Sequence, residues 1–285
     1  MEDHAQARHQ IIIPLHPELQ YLLIFLAMGG LVGFFAGLLG VGGGSVMVPI
    51  LSMIFVARGF SSDNVIHMAL ATSMATIIPG ALVSAWTHHR HQAVNWDVVK
   101  RLTPGVLLGT FSGAVIAHFS STTFLKSFFV AFICFLALQM LLNARPRPAN
   151  NDALRLPGPT ALFGFGLVMG LVSSFAGIGG AVLSIAYLTW CNMRMHETIG
   201  TAAAIGVPLS IAGTIGFVLT GMSDATLPAW SLGYVYLPAM AGIALTSMLL
   251  APYGARLAHR LPVSTLKKVF VVFLVALAIK MAVSV

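Results

Sequence analysis

Apolar residues run along this chain in unbroken blocks, not in the alternating pattern of helices with one wet face. The blocks fall at 21–57, 64–87, 98–118, 123–143, 159–191, 196–220, 230–251 and 264–285. A helix of about 20 apolar residues crosses the hydrocarbon core of a bilayer, and six blocks have about that length. Two are odd. Block 21–57 is interrupted by Gly40-Val41-Gly42-Gly43-Gly44, and block 159–191 by Gly177-Ile178-Gly179-Gly180. Each is too long for one crossing and too short for two joined by a turn. Both read as helical hairpins broken at their glycines.

The two breaks belong to an internal repeat. A shift of 137 residues carries Gly33 onto Gly170, Gly40 onto Gly177, Gly42 onto Gly179 and Gly43 onto Gly180; a shift of 133 carries Gly80 onto Gly213. The chain divides into a tail (1–20), a first unit (21–143), a polar linker rich in Pro and Arg (144–158) and a second unit (159–285). The tail holds Glu2, Asp3 and Glu18, and its run Ile11-Ile12-Ile13 stops at Pro14. It does not read as a signal peptide.

Basic residues orient the units. Arg90, Lys100 and Arg101 lie in one connection, Arg145, Arg147 and Arg155 in the linker, and Arg256, Arg260, Lys267 and Lys268 in a third; 221–230 has none. With those three connections in the cytoplasm, the three helices after each hairpin run in opposite senses in the two units. The fold expected is an all-α polytopic membrane protein of two inverted-topology repeats, each a Gly-broken hairpin followed by three transmembrane helices. The second hairpin then enters from the cytoplasm, the first from outside.

Composition agrees. Of 285 residues, 58% are hydrophobic and 8% charged, against roughly 25% charged in soluble domains. The net charge of +7 would suggest nucleic acid in a soluble chain, but here the positive residues are the topology signal, and no nucleic-acid partner is expected. Cys134 lies within an apolar block and Cys191 at the end of one, so no disulfide is expected. The cluster His88-His89-Arg90-His91 lacks a nearby carboxylate or thiol and reads as a charged loop, not a metal site. His67 starts its segment and reads as interfacial or capping. No cofactor is implied.

The glycine tips carry the chemistry. Inverted repeats with broken helices mark secondary transporters, and non-helical backbone survives in lipid only where protein or a wet cavity surrounds it. Helices expected to begin near Gly44-Ser45 and Gly180-Ala181 would point partial positive charge and unpaired N–H groups at one another. The candidate substrate-binding residues are Gly40, Gly42, Gly43, Gly44 and Ser45 in the first tip, and Gly177, Gly179 and Gly180 in the second. Ser73 and Thr201 are added as hydroxyls that could line the path. The stripes Gly29/Gly33/Gly37 and Gly166/Gly170/Ser174 read as helix packing instead. No Asp or Glu lies in the middle of any block, so proton or sodium coupling has no obvious carrier, and an anion leaving a cell negative inside gains about 2.3 kcal/mol per charge per 100 mV.

The stretch Gly37-Leu38-Leu39-Gly40-Val41-Gly42-Gly43-Gly44-Ser45-Val46-Met47-Val48-Pro49, its weaker copy Ala176-Gly177-Ile178-Gly179-Gly180, and the starts Ala71-Thr72-Ser73 and Gly200-Thr201-Ala202 resemble the TauE/SafE family of membrane permeases. The resemblance implies a bacterial inner-membrane exporter of sulfite, sulfoacetate or a related organosulfonate. The second copy departs from the pattern, with Ala181 for the third glycine and Ala186 for the proline. A permease for another small anion or a metal ion is the alternative, and an intramembrane enzyme a more distant one, since no Gly-x-Ser-Gly is present. The partners expected are a small anion and the lipid bilayer, with a homo-oligomer compatible with both.

Overall fold

The computed structural model describes residues 17–39, 43–142, 156–258 and 263–284. Among these described residues ten helices follow in order: α1 (Pro17–Leu39), α2 (Gly44–Ala57), α3 (Ser62–Arg90), α4 (Trp96–Phe119), α5 (Thr122–Leu142), α6 (Pro159–Ala176), α7 (Ala181–Trp190), α8 (Met195–Gly221), α9 (Leu237–Ala258) and α10 (Val263–Ser284). Six of the described helices are long and apolar enough to cross a membrane. The protein is therefore an all-α, multi-pass membrane protein in contact with lipid.

Each odd block is a pair of helices, with limbs of unequal length. α1 has 23 residues and α2 only 14; α6 has 18 and α7 only 10. At 1.5 Å per residue, α2 and α7 span about 21 and 15 Å, short of a full crossing. The cause is where the glycines fall, past the middle of each apolar run. The block 230–251 also differs from one continuous helix: β1 (Ser231–Leu232) and β2 (Val235–Tyr236) pair antiparallel before α9 starts. Gly233 turns that ribbon at φ +53°, and Pro238 sits in the first turn of α9, where its missing N–H costs nothing.

Small residues let helix backbones meet. On the α1–α9 contact, Gly242 faces Phe25, Gly29 faces Ile243 and Thr246, and Gly33 faces Ser247. On the α4–α6 contact, Gly105 faces Phe163, Gly109 faces Leu167 and Gly113 faces Leu171. A Cβ at Gly33 would lie 2.5 Å from the Ser247 Cα, and one at Gly170 would lie 2.6 Å from the Thr110 amide, so only glycine fits. In both pairs the residue numbers rise together. α1 thus runs alongside and parallel to α9, and α6 parallel to α4.

Polar contacts identify two ends of the fold. At one, Asn64 Nδ2 donates to Asp224 Oδ2 (2.9 Å), Thr122 Oγ1 donates to the Asp63 carbonyl (2.9 Å), and His118 Nδ1 lies 3.0 Å from the Tyr234 hydroxyl. At the other, Gly200 packs on Ala93 and the rings of His88 and His196 lie 6.4 Å apart. The first hairpin returns to the Asp224 end, where Arg58, just past α2, donates to the Tyr236 hydroxyl and stacks over Tyr21. The second returns to the opposite end, because α6 starts beside the start of α4 and α7 leads directly into α8.

Candidate functional site

The two glycine tips meet inside the protein. A Cβ on Gly44, the first residue of α2, would lie 2.5 Å from the Gly177 carbonyl oxygen and 3.0 Å from the Ile178 Cα. Such backbone-to-backbone approach is closed to any other residue. Gly177 and Gly180 also need their freedom for the turn itself, with φ of +60° and +68°. Ser73, about 17 Å along α3 at 1.5 Å per residue, donates its hydroxyl to the Gly177 carbonyl (2.8 Å) and pins the second tip near the helix midpoint.

Both half-helices present their N-termini here. The N-cap positions of α2 and α7 are Gly43 and Gly180, and neither supplies a side-chain bond to the first-turn amides. Those amides carry the positive end of each helix dipole, roughly +0.5 of a charge. Ser45 is the second residue of α2, wholly buried, and its hydroxyl has no partner. Gly179 packs on Ile77 and Gly180 on Leu209. Among the described residues no Asp, Glu, Lys or Arg is buried, and the interior polar groups are Ser and Thr hydroxyls with Asn64 and His67. No side-chain charge is therefore buried at this depth among those residues, and the fixed dipoles there are the helix ends, positive at the starts of α2 and α7 and negative at the end of α6.

Not every residue singled out from the sequence joins the tips. The structure brings Gly43, Gly44, Ser45, Ser73, Gly177, Gly179 and Gly180 together, while Gly40 and Gly42 lie outside the described residues. Thr201 stands elsewhere: its hydroxyl accepts from the Asn95 amide (3.0 Å), holding the start of α4. Thr72 makes the corresponding bond at the other end, accepting from the Tyr236 amide (3.0 Å) just before α9.

A second polar cluster lies at the Asp224 end. His67 is buried, with Nδ1 3.1 Å from the Asp63 carbonyl and Nε2 2.9 Å from the Ala117 carbonyl, and its ring stacks on Tyr234 at 5.3 Å. Its place is a helix-to-helix tie instead of the interface expected for a segment start. Asp224 accepts from the Thr226 amide and hydroxyl and from Asn64. The Thr226 bonds foremost hold its carboxyl below the usual range. Burial and the nearby Asp224 carboxylate push the Tyr234 phenol up. These residues come from three separate stretches, so no local motif announces them. No group of three metal-ligating side chains exists among the described residues.

Known proteins extend this picture. A membrane transporter protein of Haemophilus influenzae, described as probable, is 34% identical over 261 residues, covering 92% of this chain and 98% of that relative. Similarly described transporters of Methanocaldococcus jannaschii and Bacillus subtilis are each 25% identical, covering 80% and 72% of this chain and 83% and 82% of their own lengths. No solved structure matches. The model of the sulfite exporter TauE/SafE family matches residues 25–281, from within α1 to within α10 with both glycine tips, and the chain belongs to that family of membrane permeases.

Proposed function

We propose that this protein is a secondary transporter, not an enzyme, and that it exports a small sulfur-containing anion such as sulfite, sulfoacetate or a related organosulfonate across a bacterial inner membrane. The anion is held between the glycine tips by the N-terminal amides of α2 and α7. One observation carries the reading: the backbone apposition of Gly44, the first residue of α2, to Gly177 and Ile178 in the turn that leads into α7, which brings the tips that open both uncapped half-helices together among neutral side chains. Helix N-termini of this kind favour an oxyanion.

The two units are inverted repeats in this reading. The pairings support it: α1 lies along α9 as α6 lies along α4, and α2 packs on α3 as α7 packs on α8. The hairpins also return to opposite ends. With the basic connections in the cytoplasm, the His91 end faces inward and the Asp224 end faces outward. Efflux of an anion is then driven by the membrane potential.

The test is flux from proteoliposomes loaded with sulfite, sulfoacetate or thiosulfate, under an imposed potential and with or without a pH gradient. Potential-dependent efflux of at least one is expected. Efflux indifferent to potential would refute the electrogenic mechanism, and no movement of any of the three would refute the substrate class.

A further inference from the structure

Hydroxyl groups inside this protein follow a default. Thr76, Thr103, Thr110, Ser210, Thr214 and Thr220 each donate to the carbonyl four residues back in their own helix. That is the usual way a hydroxyl is satisfied in a membrane helix. Ser174 is committed to helix packing, donating to the Thr110 carbonyl of α4 at 2.7 Å. Four buried hydroxyl oxygens among the described residues break the rule: those of Ser45, Ser173, Thr189 and Ser231. Thr189 and Ser231 are half-buried residues near the ends of the fold. Ser45 and Ser173 are 0% and 1% exposed, and both belong to the apposed tips.

Ser173 sits in the last turn of α6, inside a helix whose carbonyl four residues back belongs to Met169, yet it does not bond there. Its Oγ lies instead 3.5 Å from where a Cβ on Gly180 would be, facing the N-cap of α7. Ser45 occupies the first turn of α2. The two are not repeat counterparts: the 137-residue shift carries Ser45 onto Val182, and Ser173 back onto Ala36. Each tip therefore has its own hydroxyl, placed after the glycines in the first and before them in the second. An orphan buried hydroxyl is destabilising. Both sit at the apposed tips, Ser45 in the first turn of α2 and Ser173 facing the N-cap of α7, and both are free to donate to a ligand with acceptor oxygens.

We propose that Ser173 is a specificity-determining residue of the transport site, acting with Ser45 to grip two oxygens of one tetrahedral or pyramidal oxyanion held between the tips. This rests on the tips being the anion site, as proposed above. The hydroxyls donate to the anion, while the amides of α2 and α7 supply the positive field.

The full-length chain, purified and reconstituted, tests the proposal with two readouts: thermal protection by sodium sulfite, sulfoacetate, thiosulfate or phosphate, and sulfite flux. Ser173→Ala and Ser45→Ala should each raise the half-saturating anion concentration about tenfold or more, as expected for one hydrogen bond to a charged group. Their ligand-free melting temperatures should stay level or rise, since no bond is lost. Ser174→Ala should do the reverse, lowering the melting temperature and leaving the anion dependence unchanged. Wild-type anion dependence in Ser173→Ala overturns the proposal, and so does a lowered melting temperature, which would reveal a structural bond. Protection by phosphate alone, weakened in Ser173→Ala, refutes sulfur-anion export yet supports the paired hydroxyls. No protection and no flux with any of the four overturns both.

Discussion

The contact between the tips can be opened by one methyl group. In Gly44→Ala the new Cβ would lie 2.5 Å from the Gly177 oxygen and 3.0 Å from the Ile178 Cα, where ordinary contact begins at 3.4 Å. Both obstacles are backbone, so the tips must part by about 0.9 Å. Forced overpacking of this kind costs about 1–3 kcal/mol, and alanine's preference for the helix returns at most about 1 kcal/mol. The net loss is about 0–3 kcal/mol, a fall in melting temperature of at most about 10 °C. Transport is the more sensitive readout. A displacement near 1 Å in a site set by backbone geometry costs on the order of 100-fold, so flux should collapse in a protein that still folds. Gly164→Ala is the control, because a Cβ there meets nothing within 4 Å; it should keep its flux and match or exceed the wild-type melting temperature. Wild-type flux in Gly44→Ala, measured in proteoliposomes at equal protein, would refute the tips as the transport site.

Three further outcomes are expected. Ser73→Ala strips the Gly177 carbonyl of its donor, which should destabilise the protein by about 1–2 kcal/mol and slow flux as the second tip loosens; calorimetric or fluorescence melting checks the first effect. With Cys134 and Cys191 replaced by alanine, a cysteine at Ala225 should react with a membrane-impermeant thiol reagent added to intact cells, and one at His91 only after permeabilisation; the opposite result inverts the orientation. Because hydrogen bonds hold the Asp224 carboxyl below its ordinary value, its contribution to stability is complete above about pH 4 and is lost as pH falls through the lowered value. Melting temperature followed from pH 6 to pH 3 should show that acid loss in the wild type and a flatter curve in Asp224→Asn.

Much of this architecture is legible in the residues, for a reason particular to membranes. Lipid cannot satisfy a backbone group, so spans must be long apolar runs and breaks must be protected. Gly40 to Gly44 and Gly177 to Gly180 therefore mark the hairpins directly, and the starts of α2 at Gly44 and α7 at Ala181 follow from them. The unequal limbs are less visible, because α1 begins at Pro17 inside what reads as a tail. Long-range partners are not visible at all. Ser173 looks like any serine in an apolar run, and only the fold turns its hydroxyl toward Gly180. Thr201 looks like a path-lining hydroxyl, and only the fold shows it tied to Asn95. The association of His67, His118, Tyr234 and Asp224 depends on α3, α4 and the α8–α9 ribbon arriving together.

The exchange of partners between the two units bears on how the chain is made. α1 finds the surface that accepts its glycine face on α9, synthesised roughly 200 residues later. The Thr72–Tyr236 and Thr201–Asn95 bonds lace each unit to the next helix of the other. During biosynthesis the earliest helix must therefore wait, screened by lipid or insertion machinery, until α9 emerges. Neither half is a self-sufficient body. A polypeptide ending at the linker would leave the glycine face of α1 and the α4 surface that receives α6 without their partners.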